Sequence, residues 1–308
     1  MTTTPFGMAI AATGGYAPDY PAVEAGIARL RAQGYLINNY YHHEQRHQRF
    51  AGTDAGRLAQ LYAAADDPEV QVVLALRGSY GMSRLLPHID FARLAASGKL
   101  FVGYSDFTAF QMALMKQTGR ISFAGPMVCG DFARETLVDY TIEQFHACLQ
   151  GPLHHVSGQL AEGASDNPLV DLHGQWWGGN LAMLVSLLGT PYFAAQPNGI
   201  LFLEDISEHP YRIERMLLQL FYAGALDGQQ AVVLGDFSGY KLSPYDNGYD
   251  FDTMLAYVRE VLPLPVLCGL PFGHIERRAT LPYGAMAHLR STARDLQLTF
   301  SEYPTLRR

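Results

Sequence analysis

Hydrophobic positions over the first 125 residues alternate between two rhythms. Short apolar runs at 6–12, 35–38, 70–76, 100–104 and 121–124 read as strands. The run Val-Gln-Val-Val-Leu-Ala-Leu at 70–76 is nearly continuous, as expected of a parallel strand covered on both faces. Between these runs, apolar residues return at helical spacing, as at Val23, Ile27 and Leu30. Helices are predicted over 21–33, 53–65 and 108–116, with Thr53 as an N-cap and Gly34 just past a helix end. A strand–helix alternation of this kind predicts a doubly wound parallel sheet.

The rhythm lapses between 150 and 167, a stretch rich in Gly, Ser and Pro. The expected organisation is a first domain over 1–150, a linker over 151–167 and a second domain over 168–308. The second half reads as mixed α/β. Helices are predicted over 181–188, 211–223 and 251–262, and strands over 200–204, 231–235, 266–268 and 296–300. The stretch 280–289 suggests a β-hairpin.

Composition narrows the function classes. At 308 residues, with 48% hydrophobic and 17% charged residues, the chain is long enough for a sizeable core and ordinary for a globular protein. A formal net charge of −7 without a long Lys/Arg run argues against nucleic acid or an anionic membrane as partner. Three widely spaced cysteines, Cys129, Cys148 and Cys268, are neither a disulfide framework nor a zinc ribbon. No secretion signal is read at the N-terminus, so the expected compartment is the cytoplasm.

Several strand ends carry candidate chemistry. Gly103-Tyr104-Ser105-Asp106 joins a strand to a helix, and there Ser105 fits either a nucleophile or a helix N-cap. Free N–H groups at such a helix start, that of Asp106 included, would favour a developing oxyanion. Arg77-Gly78-Ser79-Tyr80-Gly81 follows the preceding strand and offers a second nucleophile, an oxyanion loop or a plain glycine turn. Glu204-Asp205 ends one strand of the second half, and His274 follows a glycine after another. Trp177-Gly178-Gly179-Asn180 is a substrate wall or a capped helix start. The string His43-Glu44-Gln45-Arg46-His47 satisfies H-E-x-x-H, but it sits in a polar loop where two histidines would not stand one helical turn apart.

Taken together, Arg77-Gly-Ser-Tyr-Gly, Gly103-Tyr-Ser-Asp-Phe-Thr, Trp177-Gly-Gly-Asn-Leu, Leu203-Glu-Asp and Phe272-Gly-His resemble the LD-carboxypeptidase family. Gly125-Pro-Met, the segment 208–217 and Gly235-Asp-Phe-Ser-Gly extend the likeness from near residue 6 to the C-terminus. The resemblance implies a Rossmann-like N-terminal domain with a parallel sheet and a mixed α/β C-terminal domain. It implies a serine peptidase with Ser105, Glu204 and His274 as its triad, no metal and no cofactor. It also implies a homodimer that releases terminal D-alanine from murein tetrapeptides. Oxyanion donors are expected at Gly78, Ser79 and Asp106, and substrate contacts at Arg77, Arg84 and Trp177. Ser79 departs from the family, which has glycine there, and serine resists positive φ.

Three rival readings stand beside this one. A self-immunity peptidase of the same family would cleave a peptide–nucleotide antibiotic and would need an aromatic loop, for which no extra insertion is evident. A non-catalytic small-molecule binder would use the same scaffold. A zinc hydrolase would use His43 and His47.

Overall fold

The computed structural model describes residues 5–306. Five strands of the first half are β1 (Gly7–Ala11), β2 (Leu36–Asn39), β3 (Val72–Ala75), β4 (Leu100–Gly103) and β5 (Ser122–Ala124). The second half supplies β6 (His154–Gln159), β7 (Asp171–Asn180), β8 (Ile200–Ile206), β9 (Ala231–Ser238) and β10 (Val266–Cys268). It ends with β11 (Leu281–Tyr283), β12 (Met286–Ser291) and β13 (Asp295–Ser301).

The first sheet has the order β11-β5-β4-β3-β1-β2, with β1 to β5 parallel and β11 antiparallel at one edge. Every residue of β1, β3 and β4 is buried, as the continuous apolar runs require. Helices flank the sheet. Tyr20–Ala32 starts with Asp19 accepting from the Ala22 N–H and buries Val23, Ile27 and Leu30. Asp54–Asp66 is capped by Thr53, whose hydroxyl accepts from the Gly56 N–H.

The second sheet has the order β10-β9-β8-β7-β12-β13-β6. It is half parallel and half antiparallel, and β7 belongs to both halves. Residues 171–175 of β7 pair antiparallel with β12, and residues 176–180 pair parallel with β8. The fold is thus a mixed α/β architecture with two sheets.

Helix Thr108–Thr118, which follows β4, joins the two sheets. Its residues 108–115 are all buried, the pattern of a helix enclosed on every side. One continuous apolar core runs from Phe107 and Phe110 to Trp176 and Phe202 in the second sheet and to Leu181 in the helix that follows β7. Ser105 therefore lies where the sheets meet.

Two segments depart from the sequence reading. The stretch 151–167, expected as a linker, contains β6, which pairs with β13 at the edge of the second sheet. Its buried positions are His154, Val156 and Gly158, an alternation that carries little hydrophobic signal. Within 280–289, Leu281–Tyr283 does not form a hairpin with β12, the next strand along the chain. It crosses back to pair with β5 of the first sheet, and the hairpin forms instead between β12 and β13.

Candidate active site

β4 ends at Gly103, Tyr104 stays extended, and Ser105 then turns sharply with φ +62°. A left-handed serine costs about 1–2 kcal/mol and persists only where its surroundings impose it. Two glycines make room for the turn. A Cβ on Gly103 would lie 2.8 Å from the Phe107 ring, and one on Gly78 would lie 2.8 Å from the Cβ and Oγ of Ser105. The buried Asp106 carboxylate accepts from the Met82 N–H at 2.9 Å, tying the turn to the loop after β3. Burial pushes the Asp106 carboxyl up to about 6. Ser105 does not cap the helix. An N-cap has extended backbone, whereas Ser105 is left-handed and the α-helix starts at Thr108 without a side-chain cap.

The Ser105 Oγ points instead at His274, 3.1 Å from its Nε2. The other imidazole nitrogen, Nδ1, is 2.7 Å from Oε2 of Glu204, which is fully buried in β8. Nδ1–H donating to the carboxylate leaves Nε2 free to accept the serine proton. The three residues come from the ends of β4, β8 and the loop after β10, so the fold alone brings them together.

Further residues hold this arrangement. The Asn180 side chain donates to Oε1 of Glu204 at 3.2 Å and to Oδ1 of Asp205 at 3.0 Å, while its own carbonyl caps helix Leu181–Ser186. The backbone N–H of Asn180 donates to the Thr108 hydroxyl at 3.0 Å. Thr108 begins the helix that follows Ser105, so the bonds form a closed circuit through Ser105, Thr108, Asn180, Glu204 and His274. Asp205 is pushed up to about 6 by burial and then by the neighbouring Glu204 charge.

The loop bearing His274 is fastened from the first sheet's side. Arg278 is buried, donates to the carbonyls of Gly273 and Ile275 at 2.6 and 2.8 Å, and pairs with buried Asp131. Its guanidinium lies 3.9 Å from the Tyr104 ring centroid, and Tyr104 in turn presents its ring to His274 at 5.0 Å. Asn180 stood out in the sequence only as a cap. Nothing in the sequence pointed to Arg278 or Asp131, because isolated polar residues carry no periodic signal.

A cavity of about 320 Å³ opens beside Ser105 and His274, lined also by Arg77, Gly78, Ser79 and Cys129. Ser79 takes the glycine conformation despite its side chain, with φ +74°, and its hydroxyl accepts from Arg49 at 2.9 Å. Arg49 was not singled out in the sequence. Arg77 donates to the Tyr16 carbonyl at 3.0 Å and faces the cavity.

Two expected substrate contacts lie elsewhere. Arg84 points away from the cavity into an ion pair with Asp54 at 2.8 Å, over the Phe50 ring. Trp177 is fully buried in the core, with its indole N–H on Gln229 at 2.7 Å. A side chain on a central strand between two packed layers cannot reach a ligand. The H-E-x-x-H string forms a 3₁₀ turn, His43–Gln45, with His43 hydrogen-bonded to Tyr41 and stacked on Tyr20. His47 lies in the loop beyond, paired through its backbone with Phe50.

Comparison with known proteins agrees in both halves. A model of the LD-carboxypeptidase N-terminal domain matches residues 8–125, and one of the C-terminal domain matches residues 173–289. The murein tetrapeptide carboxypeptidase of Pseudomonas aeruginosa is 31% identical, covering 87% of this chain and 88% of that protein. The crystal structure of a muramoyltetrapeptide carboxypeptidase from Oxalobacter formigenes is 50% identical with a TM-score of 0.91, covering 97% of this chain and all of that one. The microcin C7 self-immunity protein of Escherichia coli is 26% identical over 81% of this chain and 79% of that protein. With both halves matched in order along the sequence, this chain belongs to the LD-carboxypeptidase family of serine peptidases.

Proposed function

We propose that the protein hydrolyses the bond between the L centre of the third residue and the terminal D-alanine of murein tetrapeptides. The observation that carries this reading is the hydrogen-bonded series Ser105–His274–Glu204 beside a cavity lined by Arg77. In the reaction, His274 takes the Ser105 proton as Oγ attacks the scissile carbonyl. Glu204 holds the imidazole tautomer and stabilises the imidazolium. The N–H groups of Asp106 and of the Gly78–Ser79 turn receive the oxyanion, each worth about 2.7–4 kcal/mol of barrier. His274 returns the proton to the leaving amine, and water then resolves the acyl-enzyme. Arg77 receives the terminal carboxylate that defines a carboxypeptidase substrate.

The cavity lining supports a peptide over a peptide–nucleotide. Among its described residues Tyr104 is the one Phe, Tyr or Trp, and Arg278 already covers a face of that ring, so no aromatic platform is offered to a base. Among the described residues no helix is long and apolar enough to cross a membrane. The working assembly is a homodimer in the cytoplasm, by extension from the family.

The test is incubation with a purified murein tetrapeptide and mass analysis of the products. The expected product is a tripeptide one alanine lighter, with free D-alanine. An intact tetrapeptide, beside cleavage of an aminoacyl sulfamoyl nucleoside, would overturn the murein assignment.

A further inference from the structure

The second sheet carries a cluster that the proposed reaction does not use. Asp171, His173 and His288 stand on its outer face, on adjacent antiparallel strands β7 and β12. His173 and His288 are directly opposed in register, and their rings stack with centroids 3.9 Å apart and planes 15° apart. Asp171, two residues before His173, projects from the same face. Its Oδ1 is 2.6 Å from the Nε2 of His288. One donor atom from each residue lies within 4.8 Å of the other two.

We propose that these three side chains form a binding site for a divalent transition-metal ion of the zinc class. Opposed residues on antiparallel strands have Cβ atoms about 4.5–5.5 Å apart, a span that lets two imidazoles chelate one ion. Tetrahedral coordination at about 2.0–2.1 Å requires donors about 3.3 Å apart, and exposed side chains reach this by small rotations. When the ion takes the Nε2 of His288, the neutral imidazole carries its proton on Nδ1, and the hydrogen bond to Asp171 gives way to coordination by both groups. Two imidazoles and a carboxylate suit Zn²⁺, Ni²⁺ or Cu²⁺ and not the hard, octahedral Mg²⁺. A fourth position stays open to water.

The surroundings define the controls. Arg290 opposes Asp171 in register on the same face, so its charge competes with the ion. His155 stands in the same transverse row but two strands from His288, with Thr299 between them and hydrogen-bonded to it at 3.0 Å. The cluster occupies the antiparallel half of β7, while Asn180 ends the parallel half. At about 3.3 Å per residue the nine intervening steps span roughly 25–30 Å. The site is therefore separate from the catalytic residues and does not depend on the murein reading.

The experiment is calorimetric titration of the metal-free protein with Zn²⁺ at neutral pH. One equivalent should bind, with a rise in melting temperature because the ion binds the folded chain. His288→Ala and His173→Ala should each weaken binding by more than the ~10–100-fold typical of losing a residue that only supports a ligand. Arg290→Gln should tighten it, and His155→Ala should leave it unchanged. Peptidase activity should be the same in His288→Ala as in the parent. No binding up to about 1 mM Zn²⁺, or undiminished binding in the His173→Ala/His288→Ala double variant, overturns the site.

Discussion

Two serines, Ser79 and Ser105, follow neighbouring parallel strands, β3 and β4, at the same edge of the first sheet. Both adopt left-handed backbone, with φ +74° and +62°, and both line the same cavity. Their partners differ. The Ser105 hydroxyl meets an imidazole 169 residues away in sequence, whereas the Ser79 hydroxyl meets the guanidinium of Arg49. An imidazole can take a proton near neutral pH, and a guanidinium cannot. Strained turns of one kind thus become two different devices according to the partner each meets, His274 from the second half of the chain for Ser105 and Arg49 from the first half for Ser79.

The largest effect that tests this contrast comes from removing each hydroxyl. Ser105→Ala should lower kcat for D-alanine release by about 10⁴–10⁶-fold, the usual range for a triad nucleophile. Ser79→Ala should lower it by less than about tenfold, because at that position only backbone donors are asked for. Both variants should keep the parent's circular dichroism and melting transition within a few degrees. The reverse pattern, with activity surviving at 105 and lost at 79, would move the nucleophile to the other turn.

The second difference is support. The Ser105 turn is tied through Thr108 and Asn180 to Glu204, while the Ser79 turn is held by Arg49 from a surface loop. Asn180→Ser separates two roles of one residue. Serine keeps a favourable N-cap but is too short to donate to Glu204. A hydrogen bond to a charged group contributes about 1.5–3 kcal/mol, so kcat should fall by about 10- to 150-fold with KM little changed. A variant that loses stability alone, at full kcat, would reduce Asn180 to a helix cap.

These residues also show how far the sequence could be read. Ser105, Glu204 and His274 each stand just where an apolar run gives way to polar residues, a local signal, and the family segments then grouped them. The conformation of Ser105 was not legible, because local propensity favours a cap and the left-handed turn is imposed by Gly78, Gly103 and the packed helix behind it. Trp177 was misplaced because an aromatic beside two glycines looks the same whether it faces a ligand or a core. The return of Leu281–Tyr283 to the first sheet depends on a partner strand far away in sequence. Arg49 and Arg278 act through contacts, to Ser79 and to Asp131 and Tyr104, that form only in the tertiary structure and leave no periodic trace.

The smallest effect concerns Ser79, where the family resemblance led to an expectation of glycine. Ser79→Gly removes a Cβ from a left-handed residue, a relief of about 1–2 kcal/mol, offset by the ~0.5–1 kcal/mol that a freer unfolded glycine costs. The hydrogen bond to Arg49 is also lost, but it is exposed and contributes little. The net expectation is a gain of up to about 1 kcal/mol, a rise of up to roughly 1–2 °C in Tm for a chain of 308 residues by differential scanning calorimetry. Activity should move through KM and not kcat, since the serine hydroxyl holds Arg49 beside the cavity and touches no reacting atom. A fall in Tm would mean that the Arg49 contact outweighs the strain, and that the serine is part of the loop's architecture. The contrast between the two turns would then narrow to their chemistry, with both conformations equally enforced.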